Sequence, residues 1–149
     1  MNFLRKLWKI WTDYFRKKPS QDASDQTDST DPLARYLTSR GHFSSRDNRV
    51  KSTAFLPPPD LKLSVFQIAG LSENEIWNIG EECVSKPQGR TLYGRADLFV
   101  SIVQSFNLNV EPDNVPPRHA NIVGWPQSKD HRKLLALELA ERATLNLRS

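Results

Sequence analysis

Polar residues around position 120 have the types and spacing of a ligand site. Residues two apart on a β-strand share a face, so His119 and Asn121 would lie on one side of a strand, with Arg118 on the reverse. The imidazole of His119 could act as a general acid or base, and the amide of Asn121 could hold a carbonyl or an oxyanion. His119 and Asn121 are therefore the candidate catalytic residues. The alternative is a structural His119 that hydrogen-bonds a nearby turn, beside a solvated Arg118.

Basic side chains elsewhere could supply an anion clamp for such a site. Arg95, Arg118 and Lys129 are the candidate ligand-binding residues, because guanidinium and ammonium groups bind phosphate and carboxylate groups. Together with His119 they would suit a phosphorylated or nucleotide-like substrate. His42 could complete a two-histidine phosphoester site if the fold brought it beside His119.

The other reactive residue types do not form a recognisable pattern. The three histidines and the single Cys83 have no metal-ligand spacing, so we predict no metal. Glycine-rich phosphate-binding motifs are absent from the sequence, and we predict no cofactor. Cys83 falls within an amphipathic segment, where an inert, half-buried thiol is expected. These patterns leave open whether the chain is an enzyme.

The first 18 residues have the pattern of a basic amphipathic helix. At a helical period the apolar side chains of residues 2–18 fall within an arc of about 160°. Six charged side chains fall on the opposite side: Arg5, Lys6, Lys9, Asp13, Arg16 and Lys17. Aromatic rings favour a membrane interface, and basic side chains suit anionic headgroups. We predict binding to an anionic membrane surface or, alternatively, to a groove on a protein partner. Two further alternatives are that the helix packs against its own domain and that it is a mitochondrial presequence. The expected contact residues are Leu4, Arg5, Lys6, Leu7, Trp8, Lys9, Trp11 and Phe15.

Charge and composition change abruptly after this segment. Residues 1–18 contain six basic side chains and one acidic one, whereas residues 19–32 contain four aspartates and no basic residue. Pro19 should end the helix, and the polar stretch after it lacks the apolar side chains that could offset the entropy of ordering. We predict three parts: the basic helix over 1–18, a disordered acidic linker over 19–32 and a single domain over 33–149.

A loose cluster of basic residues lies at the start of the predicted domain. It comprises Arg35, Arg40, Arg46, Arg49 and Lys51, with Phe43 among them. Such residues could bind phosphates, but no RRM, OB-fold or recognition-helix pattern positions them. We interpret the cluster as a solvated face and do not expect nucleic acid as a partner.

Periodicity predicts the elements of the domain. Val50–Leu56 and Leu61–Ala69 have the pattern of antiparallel strands, and a capping box of Ser72 and Glu75 opens a helix that ends near Val84. We also expect a helical turn over Leu33–Leu37, helices over Ala96–Phe106 and Ser128–Leu145, and strands over Leu108–Glu111 and His119–Trp125. The predicted fold class is α+β: a small three- to four-stranded mixed or antiparallel sheet packed by about three helices, preceded by the detached amphipathic helix.

Several segments of the domain also resemble a family of small uncharacterised bacterial proteins that share an RHANI-x-GWP segment. The matching residues here are Arg118–Pro126 (RHANIVGWP), Leu63–Phe66, Gly70–Trp77 and Gly94–Asp97. The resemblance covers about Val50–Leu145. It implies a bacterial origin and a domain boundary, and it assigns no activity and no functional residue.

These observations favour a non-enzymatic accessory or interaction domain that residues 1–18 tether to a membrane surface. The alternative is a small enzyme that acts on a phosphorylated or nucleotide-like substrate through His119, Asn121 and nearby arginines. No stretch is apolar enough to span a bilayer, and the N-terminus has no uninterrupted apolar core of a secretory signal. We therefore expect a cytoplasmic protein, peripheral on the inner membrane where residues 1–18 bind lipid.

Overall fold

The computed structural model describes residues 28–149, which form an antiparallel sheet with helices on both faces. The strands are β1 Pro32–Leu37, β2 Phe43–Ser44, β3 Arg49–Val50, β4 Leu63–Gln67, β5 Gly94–Phe99, β6 Asn109–Pro112, β7 His119–Val123 and β8 Thr144–Leu147. Six of them form one sheet in the order β6-β7-β4-β1-β5-β8, in which every neighbouring pair is antiparallel. The short strands β2 and β3 pair with each other in a separate hairpin.

The helices lie between strands. They are α1 Glu73–Ile79, α2 Val100–Ser105 and α3 Lys129–Arg142. Helix α1 continues into a π-helical segment, Gly80–Ser85, and a last helical turn, Lys86–Gln88. Two 3-10 turns, Arg40–His42 and Ser52–Phe55, flank the β2–β3 hairpin.

Alternation along the strands divides the apolar residues between the two faces of the sheet. Leu63 of β4 packs in the larger core with Leu139 of α3. Phe66, on the other face of β4, packs with Ile76 of α1. Because side chains alternate, Ser64 shares the α1 face with Phe66.

The start of α1 confirms the predicted capping box. The Ser72 hydroxyl accepts a hydrogen bond from the Glu75 amide at 3.2 Å, and the Glu75 carboxylate accepts one from the Ser72 amide at 3.3 Å. Further along, Gly80 brings the helix close to β1, since a Cβ there would lie 2.6 Å from the ring of Tyr36. The cap fixes where the helix begins, and the glycine lets its end pack against the sheet.

The fold class is α+β, but the predicted sheet and helices are wrong. The main sheet has six strands rather than three to four, and the β2–β3 hairpin is additional. Helices α1 and α2 span only 7 and 6 residues, so α3, with 14, is the one long helix in the described part of the chain. The prediction underestimated the sheet because it assigned strand residues to helices.

Two segments account for much of this error. Leu33–Leu37, predicted as a helical turn, lies in β1, and the first residues of the predicted helix Ala96–Phe106 lie in β5. Strand β5 is paired on both sides, by β1 and β8. Its residues Ala96 and Leu98 continue without a break into the apolar positions of α2, so the combined run mimics helical spacing.

The other element boundaries differ less. Of the predicted strand Val50–Leu56, only Val50 is in a strand, and a 3-10 turn follows. The last helix ends at Arg142, before β8. The predicted strands Leu61–Ala69, Leu108–Glu111 and His119–Trp125 are confirmed in shortened or slightly shifted form as β4, β6 and β7.

The predicted basic helix and most of the predicted linker, residues 1–27, lie outside the described residues. The last residues of that linker, Asp28–Asp31, form a turn in which the Asp28 carboxylate accepts a hydrogen bond from the Thr30 amide at 3.0 Å. The turn also contacts α2, because the Val100 amide donates to the Asp31 carbonyl at 3.0 Å. Within residues 28–149, no helix has the length and apolar character needed to cross a bilayer.

Candidate active site

His119 lies at the centre of a chain of hydrogen bonds between β4 and β7. Phe66 pairs with His119 and Ser64 pairs with Asn121, so Ser64 and His119 are diagonal neighbours on the α1 face. Oγ of Ser64 lies 2.6 Å from Nε2 of His119, and Oδ1 of Asp113 lies 2.7 Å from Nδ1. The three side chains form a Ser–His–Asp arrangement.

The carboxylate of Asp113 determines which imidazole nitrogen carries the proton. An ionised carboxylate can only accept hydrogen bonds, so Nδ1 of His119 must donate to it. In the neutral imidazole Nε2 then keeps its lone pair and accepts from the Ser64 hydroxyl. The hydroxyl therefore faces a base that can take its proton.

The loop from β6 to β7 holds Asp113 in this position. The amides of Asp113 and Asn114 both donate to the His119 carbonyl, at 3.1 and 3.0 Å. The Val115 amide donates to Oδ1 of Asp113 at 3.1 Å, and the Asn121 side-chain amide donates to Oδ2 at 3.3 Å. The loop thus ties the aspartate to the same strand that carries the histidine, and Asn121 orients the carboxylate.

The imidazole is sheltered, whereas the carboxylate is accessible to water. The side chain of His119 is 14% exposed and that of Asp113 is 44% exposed. The ring of Phe66 packs edge-on against the His119 ring, with centroids 5.2 Å apart. Packing and the two hydrogen bonds together restrict the imidazole to one orientation.

A cavity of about 160 Å³ opens beside Ser64 and His119. Phe66, Val84 and Pro116 contribute apolar wall. The cavity is smaller than the roughly 300 to 1,000 Å³ usual for a drug-sized ligand, so it would enclose a small group and leave the rest of a substrate outside.

Two further polar residues line this cavity. Gln88, from the end of the helical segment after α1, is exposed, and Arg35 of β1 is half-buried. Arg35 donates to the carbonyls of Ala54 and Ser64, at 2.9 and 3.0 Å. Burial lowers the pKa of Arg35 to about 10, so its guanidinium stays charged at neutral pH. Because side chains alternate along β1, the Arg35 side chain lies on the face of Leu33 and Leu37, opposite the face of Ser64 and His119, so of the two only Gln88 can offer a side-chain donor to the cavity.

Cys83 lines the same cavity but is not suited to act as the nucleophile. Burial raises the pKa of its thiol to about 12, with a further increase from the charge of Glu82. The reactive form of cysteine is the thiolate, which is scarce at neutral pH under these conditions. Tyr36 also lines the cavity, but its hydroxyl is already hydrogen-bonded, since it donates to the Ile76 carbonyl at 2.5 Å.

Arg95, predicted as an anion clamp, lies in a different network. Its guanidinium binds Glu73 through two hydrogen bonds of 3.0 and 2.9 Å, and its Nε binds Asp97 at 3.0 to 3.1 Å. It also stacks on Trp77, with 4.6 Å from the guanidinium carbon to the ring centroid. Asn146 of β8 donates to the same Asp97 carboxylate at 2.9 Å. All three nitrogens of Arg95 are engaged, so the cluster joins α1, β5 and β8.

Arg118 and Lys129 do not converge on the cavity either. Arg118 is 5% exposed and donates to the Ala69 carbonyl at 3.1 Å, and burial lowers the pKa of its guanidinium. Its backbone φ of 74° lies in the left-handed region, which turns the chain into β7. Lys129 is exposed at the start of α3, the helix that covers the opposite face of the sheet.

The remaining predicted residues lie elsewhere. His42 is half-buried in a 3-10 turn and does not line the cavity beside His119; burial lowers its pKa. In the described part of the chain, no cluster of three or more His, Cys, Asp or Glu side chains could hold a metal ion. The predicted membrane- or partner-contact residues all belong to residues 1–27, outside the described range.

Sequence reasoning selected His119 and Asn121 but missed Ser64 and Asp113. Ser64 is 55 positions from His119 and stands in an ordinary alternating strand pattern. Asp113 is six positions from His119, in a proline-rich loop. That loop was the one feature of the sequence that indicated a turn able to bring Asp113 back to His119.

Comparisons with known proteins found no matching family model and no sufficiently similar curated protein or solved structure. The resemblance of the RHANIVGWP segment therefore stays a prediction, and the geometry of the site is the evidence on function.

Proposed function

We propose that residues 28–149 form a small serine hydrolase domain that cleaves an ester-type acyl bond. The observation that supports this is the hydrogen-bond chain of Ser64, His119 and Asp113 beside a cavity. Acyl transfer to a serine uses three groups: a hydroxyl, a base that can take the hydroxyl proton, and a carboxylate that orients the base.

In the proposed reaction Oγ of Ser64 attacks the acyl carbon while Nε2 of His119 takes the hydroxyl proton. His119 then returns that proton to the leaving alcohol, and the acyl group stays on Ser64. A water molecule, deprotonated by His119, hydrolyses this ester and regenerates the serine. Asp113 stays ionised and stabilises the imidazolium that forms in each half of the reaction.

The oxyanion of each tetrahedral intermediate would need donors that face the cavity. The side-chain amide of Gln88, which borders the cavity, is the donor that we propose for this role. The apolar wall of Phe66, Val84 and Pro116 favours a short aliphatic acyl group such as acetyl.

The test is covalent labelling of the full-length protein with a fluorophosphonate reagent, combined with hydrolysis of p-nitrophenyl acetate. We expect one adduct, located on Ser64 by peptide mass spectrometry. Ser64→Ala should remove the adduct and reduce hydrolysis by about 100-fold or more, as expected for loss of a nucleophile. Asp113→Asn should also reduce the rate, because it no longer enforces the required tautomer.

Ser101→Ala is the matched control, since Ser101 is an exposed serine at the start of α2. It should keep both the adduct and the rate. Thermal unfolding of each variant shows whether a loss of activity reflects a loss of fold. An unlabelled wild-type protein whose hydrolysis rate equals that of folded Ser64→Ala would overturn the proposal and leave the hydrogen bonds a structural role.

We also propose that residues 1–18 hold the protein at an anionic membrane surface. The support is the amphipathic pattern of that segment, with aromatic and aliphatic side chains on one side and basic ones on the other. A membrane tether is compatible with a hydrolytic domain and equally with an accessory domain that has no activity.

A further inference from the structure

A second cavity, of about 430 Å³, lies at the end of the sheet near the β2–β3 hairpin. It is formed by residues far apart in the sequence: the turn before β2, the hairpin itself, the segment before β5 and the end of β8. Its volume falls in the range of roughly 300 to 1,000 Å³ that is typical of small-molecule sites.

Four cationic side chains and no acidic ones line this cavity. They are Arg40, Arg46, Lys51 and Arg148. Three of them come from the basic cluster that the sequence suggested was a solvated face, and the tertiary structure adds Arg148 from the C-terminal end. Because no acidic residue in the lining offsets these four positive charges, the electrostatic potential in the cavity is positive.

Three of these charges, those of Arg40, Arg46 and Lys51, have no ion-pair partner among residues 28–149. Arg148 pairs with Glu81, and Arg40 lies over the ring of Tyr93 at 5.3 Å. Arg46 and Lys51 are exposed and take part in no ion pair within the described part of the chain. The carboxylate of Asp47, in the same hairpin, accepts a hydrogen bond from the Ser44 hydroxyl at 3.2 Å.

Aromatic rings supply the apolar part of the wall. Phe43 and Tyr93 are in contact, with ring centroids 5.9 Å apart and planes tilted by 47°. Rings beside guanidinium groups suit a ligand that has both a planar base and a phosphate, because bases stack on aromatic faces and phosphates bind arginine and lysine.

We infer that this cavity binds a single nucleotide, with the phosphate held by Arg46 and Lys51 and the base placed against Phe43 and Tyr93. The site is separate from Ser64 and His119, with no lining residue in common. The inferred nucleotide binding therefore does not depend on the proposed hydrolase activity.

The test is calorimetric titration of the full-length protein with adenosine monophosphate and, in parallel, with adenosine. We expect saturable one-to-one binding of the monophosphate and weaker binding of the nucleoside. Arg46→Gln combined with Lys51→Gln should weaken monophosphate binding by about tenfold or more, because two charge-assisted contacts are lost. Both positions are exposed, so the unfolding temperature should not change.

Lys62→Gln combined with Lys133→Gln is the matched control, since it removes the same charge from exposed positions outside the cavity. This control should bind as the wild type does. Absence of saturable binding, or equal weakening in both double variants, would overturn the inference. Binding of a single-stranded oligoribonucleotide about tenfold tighter than the monophosphate, and sensitive to the same two residues, would also overturn it in favour of an RNA surface.

Discussion

At the scale of single residues, two polar networks on the α1 face of the sheet have different characters. Arg95 is 3% exposed and all its nitrogens bind Glu73 or Asp97, so its charge is fully used within the protein. His119 instead has its Nε2 hydrogen-bonded to a serine that borders a cavity. The first network holds elements together, whereas the second places a serine hydroxyl beside a cavity.

Cys83 provides a residue-scale prediction. Because burial raises its pKa from 9.0 to about 12, the thiolate fraction at pH 8 should be about a thousandfold lower than in the unfolded chain. We expect iodoacetamide to alkylate the native protein far more slowly than the urea-unfolded protein, as followed by intact mass. The native rate should rise steeply with pH up to the loss of the fold. Similar rates in the two states would show that the thiol is exposed and reactive.

At the scale of elements, the helical segment after α1 shapes the candidate active site. Gly80 allows it to approach β1, and the π-helical turns that follow bring Cys83 and Val84 to the cavity. Such π-helical insertions occur frequently at functional sites. The loop from β6 to β7 completes the site from the other side by holding Asp113 against His119. Both elements therefore contribute to the site by positioning a few side chains around the cavity.

The capping box at the start of α1 provides the element-scale prediction. Ser72→Ala removes the hydroxyl that accepts from the Glu75 amide, so it should lower the free energy of unfolding by about 0.5 to 2 kcal/mol. Ser72→Thr keeps a hydroxyl at this position and should retain most of that stability. The measurement is chemical denaturation of both variants. An unchanged midpoint in Ser72→Ala would mean that the cap does not support the helix.

At the scale of the whole molecule, the sheet separates two kinds of surface. One face is closed by α2 and α3 over the larger core, which includes Val103 and Leu139. The other face is covered by α1 and its extension, and the Ser64 cavity lies on this face beside the central strands β1 and β4. The large core supplies most of the apolar burial, so the smaller face can accommodate polar groups and a cavity.

The whole-molecule prediction concerns membrane attachment of the full chain. We expect the protein to sediment with anionic vesicles and to remain in the supernatant with neutral ones, since basic and aromatic side chains must both contribute. Trp8→Ala with Trp11→Ala should weaken binding by removing aromatic anchors, and Arg5→Gln with Lys6→Gln should weaken it in a salt-dependent manner. Lys62→Gln with Lys133→Gln is the charge-matched control. Failure of the wild type to sediment with either vesicle would favour a protein partner.

The amino-acid sequence by itself determined the local features of this protein. The cap at Ser72, the strand that begins at His119 and the common face of His119 and Asn121 follow from residue type and alternation, which act over a few positions. Helix α3 follows likewise from its length and flanking residues, although its end was placed too late.

Only the tertiary structure decided the extent of the sheet and the partners of His119. Strands β1 and β5 are buried on both faces and paired on both sides, so their residues lack the alternation that marks a strand. Ser64 contacts His119 because the register of β4 and β7 makes them diagonal neighbours, and Arg148 lines the same cavity as Arg46 because β8 ends beside the hairpin. Strand pairing between distant segments depends on the whole chain, and no local pattern encodes it.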